Sequence, residues 1–149
     1  MALMTCNQAG IDLIKQFEGC RLHSYQDQRG IWTIGYGATG SDIGEGLIWN
    51  QYHADERLAD DIVIKAETPI NRLVHSDITL TPNQFSALCS LCYNIGQGNF
   101  ASSSALSLIN GGTLDTVPDH ILLWDEIDGH KSLGLLRRRQ AEVALWLAP

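Results

Sequence analysis

The chain has 149 residues, enough for one domain with a sizeable core. Its 44% hydrophobic content excludes a disordered or low-complexity protein. Ten Lys and Arg against seventeen Asp and Glu give a net charge of −7. That balance argues against nucleic acid or an anionic membrane as the main partner, and against capture of an acidic polymer by charge alone.

The first helix is expected to begin at Thr5 or Asn7, with Thr5-x-x-Gln8 written as a capping box. Ile11, Ile14 and Glu18 fall at i, i+3 and i+7, so they share its apolar face, and Gly19 is placed to end it. A carboxyl in the last turn of an apolar face is disfavoured as an anion by burial and by the helix dipole. Such a group is suited to general-acid work. Asp27 opens a polar turn, Asp27-Gln28-Arg29-Gly30, between two strand-like runs, and should be hydrated and ionised. Trp32, Ile34 and Tyr36 alternate with Ile31, Thr33 and Gly35, a strand period that turns Thr33 away from Trp32 and Ile34 toward solvent or substrate. Taken separately, a Glu at a helix end and an Asp at a turn are ordinary structural residues. Two carboxyls in unlike environments are also the pattern that lets one site run acid and base chemistry together.

After the hairpin, three glycines between 40 and 46 mark a loop with room for a short third strand. Residues 48 to about 71 read as a long helix with Tyr52, Leu58, Ile62 and Ile64 apolar and Asp55, Glu56, Arg57, Asp60 and Asp61 on wetter faces. Pro69 interrupts this pattern as a kink or a new start. Thr81-Pro82 opens the next helix as N-cap and first residue; Phe85, Leu88, Cys89 and Cys92 form its core stripe, and Asn94-Ile95-Gly96 closes it. Further helices are expected over 102–110, 117–126 and 136–147. The Arg137-Arg138-Arg139 run is, in the ordinary case, a solvated helix start.

Cys89 and Cys92 resemble a C-x-x-C pair without a second pair of ligands, and buried free thiols are the expected state. Cys6 and Cys20 flank the first helix, roughly 20 Å apart along its axis, too far for a disulfide. His75, His120 and His130 have no ligand spacing, so neither a metal nor another cofactor is expected. No run approaches a membrane span, and residues 1–6 lack the basic and apolar regions of a signal peptide. The protein is therefore expected to stay in the cytoplasm in which it is made.

The context F-E-G…Y-x-D…G-x-x-T-I-G-Y-G, carrying Glu18, Asp27 nine residues on and Thr33 six further, resembles the catalytic region of phage-type lysozymes, glycoside hydrolase family 24. Gln84-Phe85-Ser86-Ala87-Leu88, Tyr93-Asn94-Ile95-Gly96, Gly98-Asn99-Phe100 with Ser103, and Gly134-Leu135-Leu136-Arg137-Arg138-Arg139 with Glu142 are similar too. The resemblance spans about residues 7–146, and its spaced Glu-Asp-Thr set is the specific part. One departure is Ala38, where the family usually carries His after T-I-G-Y-G; losing it removes a local ion pair or alters the sugar cleft.

The resemblance implies an α+β, lysozyme-like fold in one catalytic domain over 1–149. A β-rich lobe (about 19–49) is joined by a helix (about 50–72) to a helical lobe (about 73–149) that includes the N-terminal helix. It implies an inverting muramidase acting on the β-1,4 bond between N-acetylmuramic acid and N-acetylglucosamine of peptidoglycan. Glu18 would be the acid, Asp27 would activate or position water, and Thr33 would hold that water. Tyr36, Asn94 and Phe100 are implied as cleft-lining, and Arg138 as the basic residue beside Glu18, where it would oppose the effect of burial. A monomeric endolysin, held in the host cytoplasm until a holin-type pore releases it, is the implied role. A lytic transglycosylase, a chitinase and a non-catalytic peptidoglycan-binding module are the competing expectations; the intact Glu18, Asp27 and Thr33 weigh against the last.

Overall fold

Asn7 sets where the first helix, α1 (Gln8–Glu18), begins: its side chain accepts the Gly10 N–H at 3.0 Å. The Thr5 capping box is not used. Asn7 is held to the later helix instead, its N–H donating to Ser86 Oγ at 2.9 Å and its Nδ2 to Asn83 Oδ1 at 2.9 Å, and this contact selects the cap. At Gly10 the two helices approach so closely that a Cβ would stand 2.5 Å from Cys6 Sγ and 2.8 Å from Ser86 Cβ. Gly19, at φ +69°, ends α1 and leaves Glu18 as its last residue. The computed structural model describes residues 2–149.

Strands β1 (Arg21–Gln26) and β2 (Trp32–Gly35) pair antiparallel, with Tyr25 opposite Thr33. The short third strand expected in the 38–46 loop does not form. Only single bridges join Ala38 to Ile34 and Ile48 to His23, because the segment between them is a series of turns. Ala38 itself is buried in the core.

The connecting rod comprises α2 (Gln51–Ile62), a π-helical stretch (Val63–Glu67) and α3 (Thr68–Leu73). It starts later than residue 48 because Asn50 caps it, accepting the His53 N–H at 2.8 Å. Ala54, Leu58, Ile62, Ala66 and Ile70 are all buried, at a constant spacing of four. Over sixteen residues an α-helix would carry such a stripe off its face by about 160°. The wider π turns take part of that back. Pro69 locates the irregularity: it has no N–H for the Lys65 carbonyl four residues earlier. That carbonyl accepts the Cys92 thiol at 3.3 Å. Three assignments along the rod are corrected. Tyr52 and Ile64 are 73% and 65% exposed, being off the spacing-of-four stripe, and Asp61 is buried with Arg57 Nε 3.2 Å away.

Helix α4 (Pro82–Ile95) is the centre of the helical lobe, and Phe85 through Cys92 are all buried. Thr81 and Gln84 form a reciprocal capping box, at 3.0 and 2.9 Å, ahead of Pro82. Then follow α5 (Gln97–Ala101), α6 (Ser104–Asn110) capped by Ser103, α7 (Val117–Ile121), β3 (Glu126–Ile127), β4 (His130–Lys131) and α8 (Leu133–Leu147) capped by Ser132. The helix expected over 117–126 is thus corrected to one short helix and a hairpin. Asp128 and Gly129 have φ of +51° and +79°, the two positive values a tight two-residue hairpin turn requires.

Cys6, Cys89 and Cys92 are buried, Cys20 is exposed, and all four are free. Cys6 lies near enough to Cys89 to influence its thiol, a proximity the sequence spacing did not suggest. Burial first, then that thiol, pushes Cys89 well above its ordinary value, and burial alone pushes Cys92 up to about 12. Both therefore stay protonated and unreactive at neutral pH. Thiol titration of the denatured, unreduced protein should count four; two or fewer would show that a disulfide supports the fold.

Candidate active site

The end of α1 places the Glu18 carboxyl at the edge of a groove, with the side chain 22% exposed rather than enclosed. Its Oε2 accepts from Nη1 of Arg138, 120 residues later on α8. Its Oε1 faces Gly37, where a Cβ would stand 3.5 Å away; the φ of +86° there also favours glycine. Beside it, Tyr93 Oη donates to the Tyr36 carbonyl at 3.3 Å, tying α4 to the hairpin segment. Burial, with a smaller contribution from the Glu18 charge, pushes the Tyr93 phenol well up, so it remains a donor.

Asp27 closes its own turn. Its Oδ1 accepts the Arg29 and Ile31 N–H groups at 2.8 and 2.9 Å, while Oδ2 accepts none. One oxygen is structural, and the other has no hydrogen bond among the described residues. Thr33 departs from expectation: it is 4% exposed, and its hydroxyl donates to the Ile31 carbonyl at 2.9 Å instead of meeting solvent. The reason is the tight hairpin, which brings that carbonyl within reach of a buried hydroxyl that needs an acceptor.

A cavity of about 310 Å³ contains Phe17, Glu18, Asn94, Ile127 and Arg138 among its walls. A larger one, about 640 Å³, includes neither Glu18 nor Asp27, but shares Asn94, Ile127 and Leu135 with the first and adds Arg29 and Trp124. The two read as one groove, roofed on one side by β3–β4. Asn94 is exposed and lines both, whereas two expected cleft residues do not reach it. Phe100 is fully buried and offers a sugar no surface. Tyr36 is largely buried, with Oη accepting from Gln51 Nε2 at 3.0 Å. In both cases core packing claims the ring.

The basic run on α8 is not a solvated face. Arg138 and Arg139 are buried, and only Arg137 is exposed. Arg138 Nε and Nη2 donate to Ser90 Oγ at 3.3 Å and to the Ser90 carbonyl at 3.2 Å. Ser90 Oγ donates in turn to Glu142 Oε2 at 2.6 Å. Glu142, fully buried, pairs with Arg139 at 2.7 and 3.0 Å, and Arg139 Nη1 reaches the Trp124 carbonyl at 3.2 Å. Burial pushes Glu142 up and Arg139 down, each toward its neutral form, against the attraction of the pair. Ser90, Arg139 and Glu142 were not read as site-linked from sequence; the i+4 and i+3 spacings of Glu142 from Arg138 and Arg139 were the available sign.

A mostly helical body with a small antiparallel sheet, and a carboxyl held by an arginine at a groove between them, define the lysozyme-like class. The sequence profile described as phage lysozyme matches residues 15–142, and the chain belongs to that family. The curated relatives it matches are endolysins, and the chain spans about half the length of two of them. The endolysin of Salmonella phage P22 is 37% identical over 150 residues, covering 98% of this chain and 100% of that protein. The endolysin of Bacillus phage B103 is 36% identical over 146 residues; the chain spans about half of its length, 54%. Among solved structures, the muramidase domain of SpmX from Asticcacaulis excentricus superposes with a TM-score of 0.89 at 37% identity, covering 98% of this chain and 99% of that one. A mutant P22 lysozyme superposes at 0.88 and 37% identity, covering 97% and 99%. Among the described residues, no helix is long and apolar enough to cross a membrane.

Proposed function

We propose that the protein hydrolyses the β-1,4 bond between N-acetylmuramic acid and N-acetylglucosamine in peptidoglycan, by a single displacement with inversion. The observation that carries this reading is that the two carboxyls are held in different ways. Glu18 is clamped by Arg138 at the groove wall, and Asp27 is fixed through Oδ1 with Oδ2 uncommitted. Glu18 protonates the leaving glycosidic oxygen. Asp27 Oδ2 orients or deprotonates the attacking water. Thr33 Oγ1, already donating to Ile31, meets that water only as an acceptor. Asn94 is the substrate contact the groove geometry favours. One catalytic domain carries these parts. The endolysins among its relatives support a role in host lysis, with the enzyme held in the cytoplasm until a pore releases it.

Purified walls should lose turbidity on adding the protein, and the fragments should carry reducing ends. Anhydro-muramic ends would replace hydrolysis with a transglycosylase reaction, and sugar binding without cleavage would leave only a binding module. Cells expressing the protein should stay intact until the inner membrane is permeabilised; lysis without that step would exclude pore-dependent release. Asp27→Asn keeps the Oδ1 acceptor that closes the turn and removes the anion, so the fold should persist while the rate falls by roughly 10²-fold or more. Full activity in that variant would remove Asp27 from the chemistry.

A further inference from the structure

The geometry points to Glu142 and Ser90 as positioning residues: together they fix the Arg138 guanidinium, and through it the Glu18 carboxyl, for the glycosidase reaction. This rests on Glu18 being the acid. Neither residue touches the groove, since Ser90 and Glu142 are fully buried. What they touch is Arg138, from two elements. Ser90 on α4 meets it twice, through hydroxyl and carbonyl, and Glu142 on α8 lies 3.5 Å from its Nε. The hydroxyl joins the two supports, since it accepts from Arg138 Nε and donates to Glu142 Oε2 at 2.6 Å. Nε, Nη2 and Nη1 of one planar group are thereby each assigned a partner, and Nη1 is the one left for Glu18.

The charges support the same division of labour. Arg138 and Arg139 bring two positive charges into a nearly dry site, and Glu142 lies between them. Without Glu142, the partly exposed Glu18 would be the remaining anion for both, and its carboxyl would be drawn toward the guanidinium rather than held at the groove. A rigid planar fork is the part of such an arrangement that sets direction. Displacements near 1 Å at a reacting group cost up to about 10²-fold in rate.

The test is a double-mutant cycle measured on soluble, uncrosslinked glycan strands at a temperature where circular dichroism shows each variant folded. Ser90→Ala removes the joining hydroxyl but no charge. It should lower kcat by about 10-fold with KM unchanged within twofold. In an Arg138→Met background, where nothing is left to position, Ser90→Ala should add less than a twofold loss. Glu142→Gln should lower kcat in the same direction as Ser90→Ala, and their combination should cost much less than the product of the two. An unchanged kcat in Ser90→Ala, or an equal further loss in the Arg138→Met background, overturns the assignment. Failure of the Glu18 role itself is read separately, as retained cleavage by Glu18→Gln with Ser90 and Glu142 intact.

Discussion

Glu18→Gln is expected to abolish wall lysis while leaving the fold nearly unchanged. The amide keeps the size of the side chain and an oxygen that accepts from Arg138 Nη1, so the tie between α1 and α8 persists. What it lacks is a proton to give. General acid–base catalysis is worth roughly 10²–10⁴-fold, and the loss should be at least that large. Turbidity decay of purified walls, wild type against variant, reads the rate, and thermal unfolding reads the fold. Residual activity within a few-fold of wild type would remove Glu18 as the acid.

The largest stability effect is expected at the other end of the same network. Arg139→Met strips Glu142, fully buried, of its nearest counter-charge and leaves the Trp124 carbonyl without its donor. Breaking a buried ion pair from one side typically costs about 3–5 kcal/mol, because the remaining charge stays buried. The pair's own displacement toward neutral forms shows that desolvation is already opposing it. Replacing Glu142 by Leu in the same chain should therefore recover most of that loss. Denaturant midpoints of the single and double variants measure both. A single variant within 1 kcal/mol of wild type would mean that water or Arg138 takes over the carboxylate.

What the sequence made legible was local. Gly19 as the stop after Glu18 and Thr81-Pro82 as a helix start each depend on neighbours within a few residues, and each is where the structure puts it. The strand through Ile34 forms too, but without the expected alternation, since Thr33, Ile34 and Gly35 are all buried. The α+β lysozyme-like fold followed from the spaced Glu-Asp-Thr context. The failures involve distant partners. Three consecutive arginines look like a wet face until Ser90, 48 residues away, and Glu18, 120 away, are brought to them. Phe100 and Tyr36 could be cleft or core rings by pattern alone, and only packing decides. The β3–β4 hairpin was missed although Asp128-Gly129 is a strong turn signal, because the apolar period before it was extended too far.

The π-helical stretch gives the rod a reading frame. Each residue added to or removed from a helix turns everything beyond it by about 100°. A one-residue deletion within 63–67 would satisfy the backbone as ordinary α-helix. It would leave Ala54, Leu58 and Ile62 close to their present phase with Ile70, because the ~100° lost with the residue is offset when the wide π turns tighten to α turns. A deletion within α2 itself has no π turn to draw on, and would rotate the lobe bearing Asp27 against the lobe bearing Arg138. The alignment of the two lobes is thus counted in residues of a helix that contributes none of the proposed catalytic groups, and the π-helical stretch is the place in it where one residue can be lost at least cost.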